Sequence, residues 1–422
     1  MSSTLIKNAY IVSMAGPISK ADLLIEDDRI MEIGIIDKEA DEVIDATGKV
    51  IMPGLINAHT HIAMSLFRGY SDDLELMEWL KNVWKVEDKM SAEDVYYASL
   101  LSEIEMIKSG TTTFNDHYFF EDETAKATIK SGMRGMLSRV IINEGNEAQK
   151  RIEEAEKLYN DYNNAGEGRI KVVVGIHAPY TCPPKTIESS IALAKKYNIP
   201  IHIHYLETKA EMVQIKENYN KTVTEYLKDL GLFDSHVILA HGVHVSDDDI
   251  KVLRDIRGGI VHNPISNEKL GSGIANTRKL IDSGITVALG TDGQGSTNTL
   301  DMFEEIKSAA YLQKVSYEKA SAISAEEVLK MATIEGAKVL GLENDIGTLE
   351  VGKKADIIII DLNKPHLCPV HDLYSTLAYS VNGADIETVI IDGKVVMKDR
   401  KVQTLDENGV MQKCNEIIQK LF

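Results

Sequence analysis

The chain has 422 residues, 44% of them hydrophobic and 26% charged, with a formal charge of −19. That length suits two or three ordinary domains or one large barrel with an accessory domain, and the acidic balance argues against nucleic acid and anionic membranes, which attract Lys/Arg surfaces. A nucleoside, which needs no basic surface, stays open as a partner.

The first residues, "MSSTLIKNAYIVSMAG", lack a charged stretch followed by a long apolar one, so no signal peptide is expected. Residues 1–52 then hold short β-rich pieces broken by turn residues, such as "TLIKNAYIVS" and "ADLLIEDDRIMEIG". From residue 53 the style changes: "PGLINAHTHIAMSLFRG" ends a first strand near His59. "SAEDVYYASLLSEIEMIKSG" reads as a helix, with Ser91 and Asp94 as a capping box and Gly110 as its stop. Further strands follow at 111–116, 134–141, 171–178, 200–207, 236–243, 258–264 and 286–292, with helical patterns between them. Residues 347–402 return to the β style of the N-terminus, with an Asp392-Gly393 hairpin signal. The "IIII" at 357–360 is too short to span a bilayer. Cys182, Cys368 and Cys414 form no CxxC pair or disulfide framework, which suits a reducing cytoplasm.

Eight strands alternating with helices predict a (β/α)8 TIM barrel over residues 56–344. Neither terminal segment can form a comfortable core alone, so residues 1–55 and 345–422 are expected to combine into one small β-sandwich domain. The alternative, an open doubly wound sheet, would place a Gly-x-Gly-x-x-Gly after the first strand, and none is there.

Barrel active sites lie at the carboxyl ends of the strands. Those ends here carry His59 and His61, His177, His202, His204 with Glu207, His241, and Asp292, so six of the twelve histidines fall on one face. In a strand, residues two apart share a face, so each His-x-His can converge on one point. Several imidazoles and a carboxylate suit zinc or ferrous iron with a position left for water. Glu207, three residues past His204, is placed to carry a proton. The sequence does not choose roles for His202, His244 and His262.

The motifs "PGLINAHTHIAMSLFRGYSDDLELMEWL", "GTTTFND", "GIHAPYTC", "IHIHYLE", "AHGVH", "HNPISNEKLGSGIA" and "LGTDGQGS" resemble the amidohydrolase superfamily. More narrowly, they resemble its methylthioadenosine/S-adenosylhomocysteine and 5′-deoxyadenosine deaminases. The resemblance implies His59, His61, His204 and Asp292 as ligands of one divalent ion, zinc or alternatively ferrous iron. It implies Glu207 as proton shuttle and His241 beside the attacking water. It implies His177 as a substrate contact, Glu87 as the acid gripping the ribose hydroxyls, and Arg139 and Arg151 near the 5′ substituent. It also implies a homo-oligomer. Tyr205-Leu206, Gly242 and Gln294 depart from common relatives without removing a ligand or the shuttle.

The expected activity is hydrolytic deamination at adenine C6 of 5′-deoxyadenosine, methylthioadenosine, S-adenosylhomocysteine or adenosine. The nearest alternative is another mononuclear member acting on guanine, cytosine or a chlorotriazine. A binuclear cyclic-amide hydrolase would need a lysine on strand four, where this chain has His177. A barrel with a purely structural role would have lost ligands, and here every ligand position is filled.

Overall fold

Each expected barrel strand forms, and together they curl into a nearly closed parallel barrel in the computed structural model, which describes residues 2–422. In chain order they are β1 (Leu55–Thr60), β2 (Thr111–Tyr118), β3 (Arg134–Ile141), β4 (Val174–Ile176), β5 (Ile201–Tyr205), β6 (His236–His241), β7 (Arg257–His262) and β8 (Val287–Leu289). Neighbours in this order pair in parallel, and a short extra strand, Ile170–Val172, flanks β3. Both faces of β1 and β2 are buried, as a parallel sheet with helices outside requires.

The barrel closes through the segment after β8. The Asp292 amide donates to the His59 carbonyl at 3.0 Å, and the Thr291 amide donates to Asn57 Oδ1 at 3.0 Å. Gly290 permits this approach, since a Cβ there would lie 2.8 Å from the His59 backbone. On the outer side, Ile56, Ala58, Val261 and Ala288 pack with Ala337, Val339 and Leu340 of the helix Ile334–Leu340.

The helix Ala92–Ser109 starts and stops as its sequence specifies. Ser91 and Asp94 form the reciprocal capping box, and Gly110 takes the left-handed conformation at φ 90°. The acidic run at residues 71–76 leads into the helix Leu76–Glu87, whose N-cap Glu75 makes no side-chain capping bond. Asp72 instead accepts from Lys269 Nζ at 2.7 Å, tying the loop after β1 to the helix Pro264–Lys269.

The two chain ends join in one nine-stranded, mostly antiparallel sheet. Lys49–Pro53 runs against Ile357–Asp361 in continuous register, with Ile51 opposite Ile359. Ile6, Ile11, Leu23, Ile25, Ile51, Ile357 and Ile359 fill its core. Asp392 and Gly393 have φ of 52° and 75°, the two left-handed residues a tight hairpin needs. The last helix, Glu407–Leu421, leaves this sheet and lies on the barrel, where Cys414 reaches the Tyr97 carbonyl at 3.4 Å. Among the described residues, no helix is long and apolar enough to cross a membrane.

Candidate metal centre and active site

Strand alternation sends His59 from β1, His204 from β5 and His241 from β6 to one point, where His61 arrives just past β1 and Asp292 just after β8. His61 Nε2 lies 3.1 Å from Asp292 Oδ1 and 3.3 Å from His204 Nε2. His59 Nε2 lies 3.4 Å from the same carboxylate oxygen. One donor atom from each of His59, His204, His241 and Asp292 falls within 4.8 Å of the others. That mutually close set holds His241, and His61, the fourth position singled out in the sequence, adjoins it through Asp292 and His204.

The outer contacts aim these groups. His61 Nδ1 donates to the His117 carbonyl at 2.5 Å, and His204 Nδ1 donates to the His177 carbonyl at 2.6 Å. A carbonyl can only accept, so each Nδ1 carries a proton, and each ring, when neutral, has its Nε2 lone pair facing the centre. His59 Nδ1 contacts His202 Nε2 at 2.8 Å. Asp292 Oδ2 accepts from Ser266 Oγ at 2.7 Å and Ser296 Oγ at 2.8 Å, leaving Oδ1 for the centre. Glu305 accepts from the Ile265 amide and from Thr297 Oγ1, fastening the two short helices that carry those serines.

The donor set fits a divalent cation. His59 Nε2 is buried without a hydrogen-bond partner, and the Nε2 atoms of His61 and His204 face each other at 3.3 Å beside a carboxylate. Burial, reinforced by neighbouring histidines, lowers His59 to about 3 and His204 well below its usual range, so both are the neutral bases that ligation requires. Burial also acts to lower His61, yet the Asp292 carboxylate outweighs it and raises the group to about 9. The cluster itself calls for positive charge at that spot. His241 and Asp292 hold left-handed backbone, at φ 77° and 64°. Such conformations in non-glycine residues cost roughly 1–3 kcal/mol each and concentrate at functional sites.

A cavity of about 1020 Å³ opens over this cluster and brings every other expected site residue to one wall or another. Glu207 is buried beside the centre, with Oε2 3.8 Å from His241 Nε2, and burial raises its pKa. His241 is held from behind by Asn267 Oδ1 at 2.9 Å from its Nδ1. His177 contacts Thr181 Oγ1 through Nδ1 at 2.7 Å, and burial depresses it to about 3. Glu87, the last residue of the helix Leu76–Glu87, accepts from the Tyr118 hydroxyl at 2.5 Å, and burial pushes it up to about 7.

Arg139 and Arg151 line the outer cavity but differ in freedom. Arg139 uses Nε on Glu154 at 2.8 Å and Nη1 on the Val140 carbonyl at 2.9 Å, whereas Arg151 has one contact, Nη2 to Glu147 at 2.7 Å. Arg151 is therefore the guanidinium with donors to offer a ligand.

Ser266, Asn267 and Ser296 were not singled out from the sequence. The first two sit in "HNPISN", directly after β7, so the same attention to strand ends would have reached them. His202 proves to back His59. His262 is buried with neither ring nitrogen partnered, and His244 Nε2 is likewise unpartnered.

The chain belongs to the amidohydrolase family, whose model matches residues 50–396. It is 50% identical over 425 residues to a 5-methylthioadenosine/S-adenosylhomocysteine deaminase of Caldanaerobacter subterraneus subsp. tengcongensis, covering 99% of this chain and 98% of that one. It is 48% identical over 428 residues to a 5′-deoxyadenosine deaminase of Methanosarcina mazei, covering 100% and 99%. Among solved structures it resembles an adenosine deaminase from Xanthomonas campestris with bound zinc, at a TM-score of 0.96 and 30% identity, covering 100% and 98%. An atrazine chlorohydrolase from Arthrobacter aurescens, at TM-score 0.92 and 23% identity over 98% and 100%, shares the fold. Family and donor set together define a metal-dependent hydrolase.

Proposed function

We propose that this enzyme hydrolyses the C6 amine of a 5′-substituted adenosine, giving the inosine analogue and ammonia. The observation that carries the reading is the buried Glu207 carboxyl beside His241, above a His/Asp cluster, in a cavity that also reaches Glu87 and Arg151. The full-length relatives named for such deaminations support it.

His59, His61, His204 and Asp292 would hold one divalent ion, which when bound would make water a competent nucleophile near neutral pH. Zinc is the ion we favour, on the zinc-bound Xanthomonas structure; ferrous iron suits the same donors. Glu207 takes a proton from the attacking water and delivers it to adenine N1, which makes C6 more electrophilic. His241, with Nδ1 fixed on Asn267, turns Nε2 towards the cavity and orients that water together with Asp292. Once the C–O bond has formed, Glu207 carries the second proton to the exocyclic amine, and the C–N bond breaks to release ammonia. His177 contacts the base, Glu87 accepts from the ribose hydroxyls, and Arg151 with Arg139 faces the 5′ group. Three unpaired cysteines support a cytoplasmic setting, and the family resemblance supports a homo-oligomer.

The test is ammonia release from 5′-deoxyadenosine, methylthioadenosine, S-adenosylhomocysteine and adenosine, with guanine, cytosine and a chlorotriazine as controls. Turnover of at least one adenosine above every control is expected. Turnover confined to a control would replace this reading with the alternative one.

A further inference from the structure

We infer that His202 is a positioning residue: it holds the His59 ring with Nε2 turned to the centre and thereby sets how tightly the site retains its cation. His202 and His204 lie two apart on β5 and so share its inward face. His204 reaches the cluster, and His202 sits one layer beneath it. There His202 Nε2 meets His59 Nδ1 at 2.8 Å, with the rings edge to face at 88° and centroids 4.9 Å apart. Asn115 packs on the other side of the ring, its Nδ2 donating to the Ala58 carbonyl at 2.8 Å and so offering His202 Nδ1, 3.2 Å away, no acceptor that could draw the ring from His59. His117 packs edge-on at 4.8 Å, so the ring is enclosed by β1, β2 and β5.

The three histidine ligands are not backed alike. His61 and His204 lean on main-chain carbonyls, which any side-chain replacement preserves. His59 leans on a side chain. Both His59 and His202 are fully buried, so bulk water cannot take over that contact. A polar ring in this layer is costly unless hydrogen-bonded, and an aliphatic side chain would fill the space more cheaply. What the imidazole at position 202 contributes is its contact with His59 Nδ1. Groups that orient a metal-bound histidine typically change metal affinity about 10–100-fold when removed.

The inference rests on His59 being a ligand, and the experiment separates the two claims. Zinc affinity of the full-length protein is measured by chelator competition for wild type, His59→Ala, His202→Leu, His202→Asn and His202→Gln, beside the thermal midpoint of each zinc-free protein. A glutamine amide reaches the place of the ring Nε2, and an asparagine amide does not. His202→Leu and His202→Asn are expected to bind zinc about 10–100-fold more weakly, with His202→Gln restoring most of the loss while zinc-free midpoints of the two amide variants match. If His202→Leu does not fold, the Asn and Gln variants decide alone. Undiminished affinity in His202→Asn, or equal loss in Asn and Gln, would overturn the role of His202. Undiminished affinity in His59→Ala would overturn the metal reading itself.

Discussion

The two ends of the barrel bury polar groups in opposite ways. At the amino-terminal end, Arg134 opens β3 and donates Nε to Asp356 at 2.9 Å and Nη2 to Asp392 at 3.1 Å. Lys354 adds a second cation 3.1 Å from Asp392. These residues lie far apart along the chain, yet they fuse barrel and terminal sheet with every charge answered from within. At the carboxyl-terminal end, His59, His61, His204 and Asp292 turn ring nitrogens and a carboxylate oxygen to one point. That end is completed only by something from outside. A seam neutralises itself; a site leaves a need unmet.

The contrast can be broken by substitution at either end. The largest effect is expected at the open end. Glu207→Gln should lower kcat about 10²–10⁴-fold while zinc content stays at the wild-type level, because a positioned proton carrier is worth that much. Elemental analysis beside steady-state rates checks it, and a normal rate would remove Glu207 from the mechanism. Since Glu207 must be ionised to accept a proton and burial raises its pKa, activity should fall on acidification at a pH above the ordinary carboxylate range.

Next comes the self-neutralised seam. Arg134→Leu leaves the buried Asp356 without its cation and Asp392 with Lys354 alone, and should destabilise the fold by about 3–5 kcal/mol in denaturant unfolding. Turnover per folded molecule should not change. A stable variant with impaired turnover would show that the seam and the site are not separate.

A smaller effect sharpens the comparison in between. Glu103 is buried in the helix Ala92–Ser109 and accepts from Thr128 Oγ1 at 2.7 Å. Burial lifts its pKa from 4.5 to about 8. The folded state therefore holds a proton that the unfolded chain releases, so stability should decline as pH rises through the window from 4.5 to about 8. Glu103→Gln should flatten that decline, read as thermal midpoint against pH. An unchanged slope would show that Glu103 ionises as it does in the unfolded chain.

Much of this was legible in the sequence because barrel topology does the spatial work. Once strands and helices alternate eight times, residues at strand ends must meet, and so His59, His204 and Asp292 could be grouped across more than two hundred residues. The capping box at Ser91 and the Asp392-Gly393 turn were legible because their partners are local. What the sequence hid depends on loop paths. The contacts of Ser266 and Ser296 with Asp292 require two short helices, Pro264–Lys269 and Gln294–Thr297, to meet over the same carboxylate. The pairing of Arg139 with Glu154, and of Asp72 with Lys269, follows from helix placement that no spacing encodes. Nor does spacing reveal that His241 and Asp292 adopt left-handed backbone.

The central claim is that one divalent cation binds where His59, His61, His204 and Asp292 converge. Anomalous diffraction at the zinc edge, from crystals of the zinc-loaded protein, tests it most directly. The account predicts a single strong peak per chain bounded by those four side chains; a peak elsewhere, or none in fully loaded protein, would contradict it.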